Sequence, residues 1–218
     1  MPALRLIETE EFTIRPIEES DDSRMYVAVR SNSERLEQDF PNVVKRYSDN
    51  VGVVTAVKRA ASQTADETSG YNVFVATDPD NLKILGIATT FTLGKRAMTF
   101  LDINRNETSE FSKTRGNLVA GWTIADHPKG LALAGLRLVC DLPRNLVACD
   151  TVHTNYTFIR DDNMVAQKVA EAAGLKPQDA FPMRISPFRQ RLAGLGDGTW
   201  RARRVWHDDK ELYPSKPR

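Results

Sequence analysis

The sequence predicts an α+β fold, in which a mixed, mostly antiparallel sheet is flanked by helices on both faces. Three stretches predict it: an antiparallel meander over 71–103, a strand–turn–helix–strand–helix run over 117–177, and a hairpin near the C-terminus. The two strands of the central run are expected to be parallel neighbours, because a helical crossover returns right-handed to the same sheet. One domain is expected over residues 1–207, followed by a loose tail at 208–218.

Composition narrows the class of protein. The chain has 218 residues, 41% of them hydrophobic, and a formal net charge of +1, so it can bury a core and is not expected to bind nucleic acid or a membrane surface. We expect a cytoplasmic protein, because the sequence has neither an apolar signal core nor a membrane-spanning apolar run.

Two cysteines, Cys140 and Cys149, are too few for a disulfide framework, and the three histidines lack metal-ligand spacing, so no metal is expected. The oligomeric state is left open, a homodimer included.

The first third of the chain predicts an edge strand and two helices. In Glu11–Ile17, the residues Phe12, Ile14 and Pro16 alternate with Thr13, Arg15 and Ile17, and such a strand with a proline is typical of a sheet edge. Acidic residues at 18–22 are suited to begin a helix over Ser23–Arg30, and Ser31–Pro41 is interpreted as a solvated helix–loop. Val51–Ser62 spaces apolar residues at helical intervals. Its predicted buried face comprises Val51, Val54, Val57 or Lys58, and Ala61.

The antiparallel meander begins with two strands, Tyr71–Thr77 and Leu82–Leu93, which are rich in β-branched and aromatic residues. The segment Asp78-Pro79-Asp80-Asn81 between them has strong turn chemistry. Ala97–Ile103 predicts a third strand. The polar segment 104–116 is long for a hairpin loop, and we interpret it as a mobile flap beside the functional site.

The central run predicts a strand at Asn117–Ala125, a helix at about Lys129–Leu142, a second strand at Leu146 to about Tyr156, and a second helix at Met164–Ala173. The first strand and helix are joined by a turn at 126–128. The predicted caps of the second helix are Asp161, Asp162 and Asn163 at its start and Gly174 at its C′ position.

The start of the first helix is a candidate phosphate site. It contains Lys129, Gly130, Leu131 and Ala132 directly after a strand. Unpaired amides at a helix N-terminus attract phosphate, and Gly130 lets the backbone come close to it. A helix that merely packs on the sheet, with no phosphate, remains the alternative.

The predicted C-terminal hairpin, Phe181–Leu192 followed by Thr199–Trp206, is rich in arginine and contains interleaved aromatic residues. Such a pattern occurs in nucleic-acid-binding surfaces. Because the net charge of the whole chain is only +1, we interpret it instead as a half-buried hairpin with solvated arginines.

The second helix carries the pattern N-x-x-A-x-x-V-x-E-x-x-G-L, which resembles a motif of the GNAT superfamily of acyl-CoA-dependent N-acyltransferases. The residues are Asn163, Ala166, Val169, Glu171, Gly174 and Leu175. The pattern is most similar to the branch that acetylates ribosomal-protein N-termini. The strand Gly121–Ile124, the turn His127–Ala132 and the opening Phe12–Pro16 look like that family's central strand, pyrophosphate loop and first strand. The resemblance covers roughly residues 12–177, and residues 1–207 then form one GNAT-like acyltransferase domain.

The resemblance implies acetyl-CoA as cosubstrate and an amine acceptor, which could be a peptide N-terminus, a lysine or a small molecule. The amine would attack the thioester directly, and the region of Ser31–Pro41 would help to cover the acceptor. The implied contacts to pantetheine come from the backbone of Trp122, Thr123 and Ile124. The implied pyrophosphate contacts come from Lys129, Gly130, Leu131 and Ala132, and Asn163 would contact the cosubstrate from its other side.

The general base and acid are less clear from the sequence. His153 is a candidate base because imidazole titrates near neutrality, Asp126 is a second candidate, and Tyr156 could donate the proton to the leaving thiolate. Two residues depart from the family pattern: Pro128 offers no N–H to a phosphate, and Ala170 stands where many relatives have a tyrosine. These departures define the alternative, a degenerate GNAT-fold protein that binds acyl-CoA or a protein or RNA partner without catalysis.

Overall fold

The computed structural model describes residues 6–47, 49–66, 70–93, 116–141, 154–177 and 203–208. The strands in these ranges are β1 (Ile7–Glu8), β2 (Thr13–Pro16), β3 (Tyr71–Thr77), β4 (Ile84–Leu93), β5 (Gly116–Thr123), β6 (Thr154–Arg160), β7 (Leu175–Pro177) and β8 (Arg203–Asp208). They form one sheet of eight strands in the order β1-β2-β3-β4-β5-β6-β8-β7.

The helices in the described residues are α1 (Asp22–Ser31), α2 (Ser33–Asp39), α3 (Pro41–Tyr47), α4 (Asn50–Ala65), α5 (Leu131–Asp141) and α6 (Met164–Ala172). A 3-10 turn, Glu19–Asp21, precedes α1. The predicted cap of α6 is confirmed, because Asn163 Oδ1 accepts from the Ala166 amide at 3.0 Å. Its predicted C′ residue is confirmed as well, because Gly174 has a φ of +85°.

The pairing confirms a mixed, mostly antiparallel sheet. Every neighbouring pair is antiparallel except β5 and β6, which are parallel as the right-handed crossover predicts. The third residue of β3, Val73, lies on one face and the next, Phe74, on the other, so this strand contributes to two cores. One core joins α5 and α6 to the sheet, and the second joins α1, α3 and α4 to its opposite face. Helices on both faces are therefore confirmed.

The predicted buried face of α4 is largely wrong. The helix buries Val53, Val57, Ala60 and Thr64. Val51 is 78% exposed. Valine and alanine occupy the helical positions that start from Val51 as well as those that start from Val53. Periodicity alone therefore does not select which face of the helix is buried. Tertiary contacts select it, and at the end of the helix Thr64 Oγ1 accepts a buried hydrogen bond from the Val73 amide at 3.0 Å.

The prediction of a solvated helix–loop at Ser31–Pro41 is wrong in part. The segment contains α2, whose Leu36 is 3% exposed, and α3 follows it without having been predicted. The side chain of Asn32 fixes the start of α2. Its Nδ2 donates to the Ala28 carbonyl at 2.9 Å, and its Oδ1 accepts from the Ala125 amide at 3.2 Å, just beyond β5.

A buried carboxylate holds the start of α1 to the sheet. Asp21 is fully buried and accepts two hydrogen bonds from the Arg15 guanidinium, at 2.9 and 2.8 Å, and one from Arg24 at 2.6 Å. The hydrogen bond from Arg15 to Asp21 raises the pKa of the Arg15 guanidinium, and burial opposes this. Both arginines also bind Asn81 in the turn between β3 and β4, so the network ties β2 and α1 to the predicted turn.

Several predicted boundaries differ in the structure. β6 continues to Arg160 rather than ending near Tyr156, because Phe158 and Ile159 continue the strand pattern. β8 reaches Asp208, one residue into the predicted tail, and it fills a place in the sheet as the hairpin interpretation requires. The predicted strand Ala97–Ile103, the flap up to residue 115, Leu146–His153, Phe181–Leu192 and residues 209–218 lie outside the described residues.

Candidate active site

The central feature of the site is a gap between β5 and β6. These strands share three ladder positions, which pair Gly116, Asn117 and Leu118 with residues 154–156, and the described pairing ends there. β5 stays paired with β4 as far as Thr123, and β6 stays paired with β8 as far as Arg160. The two strands therefore splay apart towards their C-terminal ends. Strand edges that diverge in this way present N–H and C=O groups that a bound ligand can satisfy.

A cleft of about 920 Å³ passes through this gap. Its walls are formed by β4, β5 and β6, by the starts of α5 and α6, and by α2 and α3. The volume lies near the upper end of the range for small-molecule sites, about 300–1,000 Å³. The cleft can therefore hold an extended ligand or two molecules together.

The start of α5 forms one end of the cleft. Gly130 has a φ of +85°, and its carbonyl accepts from the Ala134 amide at 2.9 Å. The helix therefore begins at Leu131 and not at the predicted Lys129, because a residue at positive φ interrupts the helical backbone. The Leu131 amide donates to the Pro128 carbonyl at 3.3 Å, whereas the amides of Ala132 and Leu133 fall in the first turn, where an α-helix supplies no acceptor.

His127 lies between the end of β5 and the start of α5, and it lines the cleft. Its Nδ1 is 2.9 Å from the Ile124 carbonyl. A carbonyl can only accept, so Nδ1 carries a proton in this contact. The sequence placed this residue in the turn that resembles the pyrophosphate loop, but it did not identify the side chain as part of the cleft lining.

The start of α6 forms the opposite wall. Asn163, Met164 and Val165 line the cleft, and the last two are 59% and 74% exposed. In the loop before the helix, Arg160 Nε pairs with Asp162 Oδ1 at 2.8 Å. Because the side-chain oxygen of Asn163 caps the helix, this residue holds the loop in place as well as facing the cleft.

The structure brings six of the eight predicted cosubstrate residues to the cleft. They are Trp122, Thr123, Gly130, Leu131, Ala132 and Asn163. Ile124 and Lys129 are not among the lining residues. The Ile124 amide donates to the Leu85 carbonyl at 2.8 Å and so belongs to the sheet. Lys129 is exposed next to the start of α5.

The three candidate catalytic residues are placed differently from one another. His153 lies outside the described residues. Asp126 is exposed at the turn after β5 and is not among the cleft-lining residues. Tyr156 is 5% exposed within the sheet, where it pairs with Leu118 and His207, and it does not line the cleft either.

Sequence reasoning gave only part of the wall of the cleft formed by α2, α3, β3 and β4: the family resemblance implied that Ser31–Pro41 helps to cover the acceptor, but no residue of the wall was named. Its side chains are Arg35, Leu36, Phe40, Val43, Tyr71 and Phe91. Residues 35–43 are far in the sequence from the two strand residues, Tyr71 and Phe91, so no local pattern brings them together. The register of β3 and β4 pairs Tyr71 with Phe91 and sets their rings edge to face, with centroids 6.0 Å apart.

The part of the chain that the structure describes contains no group of three or more histidine, cysteine or acidic side chains that could hold a metal ion. No helix in the same residues is long and apolar enough to span a membrane.

Comparison with solved structures identifies the fold. The chain superposes on a ribosomal-protein-S5-alanine acetyltransferase from Vibrio fischeri with a TM-score of 0.67 and 15% identity, over 96% of this chain and 100% of that one. This is the GNAT fold. Mycobacterium smegmatis RimJ in complex with CoA-disulfide gives a TM-score of 0.64 at 15% identity, over 94% of this chain and 84% of that one. The microcin C7 self-immunity acetyltransferase MccE in complex with acetyl-CoA and AMP gives a TM-score of 0.60 at 10% identity, over 92% of this chain and 93% of that one.

Neither a protein-family model nor a curated protein matches the sequence. The fold resemblance inferred from the residues between Asn163 and Leu175 is nevertheless confirmed by structural neighbours that are GNAT-family acetyltransferases.

Proposed function

We propose that the protein is an N-acetyltransferase that moves an acetyl group from acetyl-CoA to a primary amine by direct attack. The observation that carries the proposal is the cleft between the splayed strands, which ends at the first-turn amides of α5. Two of the structural neighbours are described in complex with CoA-disulfide or acetyl-CoA, which supports the same ligand here.

The pyrophosphate is assigned to the start of α5. The amides of Ala132 and Leu133 and the positive end of the helix dipole favour an anion there. Gly130 leaves the approach open, since a Cβ at this position would meet nothing within 4 Å. Lys129 is exposed beside it and adds positive charge. Pro128 contributes no N–H, so this loop offers one amide fewer than a loop with glycine at that position.

The pantetheine arm is assigned to the edge of β5 that faces the gap. Trp122 and Thr123 line the cleft there, and their backbone groups on the side of β6 have no ladder partner among the described residues. Ile124 is a weaker candidate, because its amide already binds Leu85. Asn163 approaches from the wall formed by α6.

The reaction itself needs a base for the ammonium and a proton for the leaving thiolate. We keep His153 as the proposed base, with Asp126 as the second candidate. Tyr156 is less suited as the acid, since it is buried within the sheet away from the cleft lining. His127 lies next to the start of α5, so we assign it to the pyrophosphate end rather than to proton removal.

A protein that binds acyl-CoA without catalysis is the second candidate. Ala170, which replaces the tyrosine of many relatives, is fully buried in the core shared by α5, α6 and the sheet. The side chain at this position therefore cannot donate a proton to the leaving thiolate. This candidate predicts CoA binding with no acetyl transfer to any amine.

The test is a melting experiment with CoA, acetyl-CoA and pantetheine, followed by an acetyl-transfer assay. CoA at about a hundred times its Kd should stabilise the protein by about 2.7 kcal/mol. For a domain of this size, that corresponds to a rise in Tm of about 5 to 11 °C. Pantetheine lacks the pyrophosphate and should stabilise much less. No shift at millimolar CoA would overturn the proposal, and binding without transfer would favour the second candidate.

A further inference from the structure

We propose that the acceptor of this acetyltransferase is an amine on an apolar or aromatic body that also carries an anionic group, which Arg35 contacts. The inference rests on the proposed function, because it names the acceptor class of the same site. It concerns the part of the cleft bounded by α2, α3, β3 and β4, which we call the α2 wall. The α2 wall comprises Arg35, Leu36, Phe40, Val43, Tyr71 and Phe91.

The α2 wall presents a large apolar surface. Phe91 is 46% exposed although it lies in an inner strand of the sheet, and its ring is fixed against Tyr71 at an interplanar angle of 70°. Leu36 closes the wall from α2, and Phe40 and Val43 are half-buried. An aromatic side chain exposed in a cleft gains free energy when an apolar ligand covers it. A strongly hydrated acceptor would leave this surface wet.

Arg35 is the cation of the α2 wall. It is exposed, lines the cleft, and makes no hydrogen bond or ion pair with any described residue. Arg160, across the cleft, is already paired with Asp162. Asn32, three residues before Arg35 in the chain, binds the Ala125 amide just beyond β5 and so anchors the start of α2. A guanidinium on this helix that has no protein partner among the described residues is suited to bind a carboxylate or phosphate.

Trp122 adds a second donor on the same side. Its indole is 5% exposed, packs with the core under α1 and α4, and lines the cleft. Its Nε1 is buried and has no hydrogen-bond partner in the described residues. A buried donor without a partner costs free energy, which a ligand oxygen can recover.

The charges of the cleft lining therefore favour an anionic acceptor over a polycationic one. The lining carboxylate in the described residues is Asp162, on the opposite wall, and it is engaged by Arg160. The α2 wall itself offers donors and apolar surface but no carboxylate. A polyamine would bring a second positive charge towards Arg35, whereas an aromatic amino acid or a peptide with an acidic group would bring a complementary one.

The experiment measures binding of four amines by calorimetry, with and without saturating CoA. Phenylalanine has both the apolar body and the anion, phenethylamine lacks the anion, glycine lacks the body, and putrescine carries a second cation. Phenylalanine should bind at least about fivefold more tightly than each of the others. Its advantage over phenethylamine comes from one exposed charge-assisted contact, and its advantage over glycine comes from the apolar surface that its ring covers. Equal or tighter binding of putrescine or phenethylamine, or no binding of phenylalanine, would overturn the inference.

Variants separate the two parts of the α2 wall. Arg35→Gln should abolish the preference for phenylalanine over phenethylamine, while Phe91→Ala should weaken both amines without changing their ratio. Arg59→Gln, on the exposed side of α4 and outside the cleft, is the matched control and should change neither. All three variants should keep the Tm shift with CoA. Loss of that shift in the unmodified protein would count against the proposed function, whereas an unchanged ratio in Arg35→Gln would count against the acceptor class alone.

Discussion

Gly130 offers a way to test the phosphate end of the cleft with a single charge. We compare Gly130→Asp with Gly130→Asn, which have nearly the same shape and differ by one negative charge. Either side chain has room, because a Cβ at this position meets nothing within 4 Å, but both must adopt the φ of +85°. The backbone strain should cost about 1 to 2 kcal/mol in each variant. The Tm should fall by about 2 to 8 °C in both.

The difference between the two variants should appear in CoA binding. A carboxylate about 5 Å from a phosphate charge is repelled by about 1 kcal/mol in water and by about 3 kcal/mol at the effective dielectric of a protein surface. These values correspond to about 5-fold and 150-fold in Kd. Because Gly130 is exposed, we expect the lower part of this range, about tenfold weaker binding for Asp than for Asn.

Calorimetric titration of both variants with CoA at low and high salt measures this difference. The ratio of the two Kd values should shrink as salt rises, since mobile ions screen an exposed pair. Pantetheine serves as the control ligand and should bind both variants equally. Equal CoA affinities at low salt would refute the assignment of the pyrophosphate to the start of α5.

Three further predictions concern stability and turnover. Asp21→Asn leaves two arginines without their buried anion and should lower the free energy of unfolding, measured with urea, by about 2 to 4 kcal/mol. Replacement of the exposed Glu19 by Gln should change that free energy by less than about 0.5 kcal/mol. Gly121→Ala should destabilise the protein by about 1 to 3 kcal/mol, because its Cβ would lie 2.7 Å from the Ile87 carbonyl oxygen. Gly135→Ala, within a helix, should be neutral or stabilise the protein by up to about 1 kcal/mol. Destabilisation by both variants, or by neither, would contradict this expectation. With His153 as the base, turnover should rise with pH through an apparent pKa between about 6 and 8. His153→Ala should lower kcat about a hundredfold and leave the CoA affinity unchanged. An unaltered kcat would show that His153 is not the base and would leave Asp126 or water as the candidates.

Local signals in the sequence were sufficient for much of the fold. The bounds of β3 were predicted as they occur, because alternating β-branched residues end at a strong turn that Asn81 completes at a positive φ of 57°. The second helix was predicted from the same kind of signal, with Asn163 as its cap and Gly174 at its end. In each case the determining contacts lie within a few residues of one another.

The rest depended on contacts between distant segments. The buried face of α4 is selected by β3 and α1, and the sequence offers two equally apolar faces. The family resemblance implied that Ser31–Pro41 helps to cover the acceptor, but the side chains of the α2 wall could not be named, because Arg35 and Phe91 meet the same cleft only after the meander and the helices have assembled. His127 was predicted within the turn that resembles the pyrophosphate loop, but its contact with the Ile124 carbonyl and its place in the cleft lining were not predicted.

The order of the last three strands has a consequence for how the chain acquires its cleft. β8 is the last described strand, yet it lies between β6 and β7 and pairs with both. Before residues 203–208 have been synthesised, Thr157–Arg160 has no described strand on either side, since β5 has already diverged from it. Open edges of this kind are sites of mispairing and aggregation. The wall of the cleft that includes β6 is therefore completed only when β8 is present, and a chain that ends before residue 203 should gain less stability from a ligand that binds between β5 and β6.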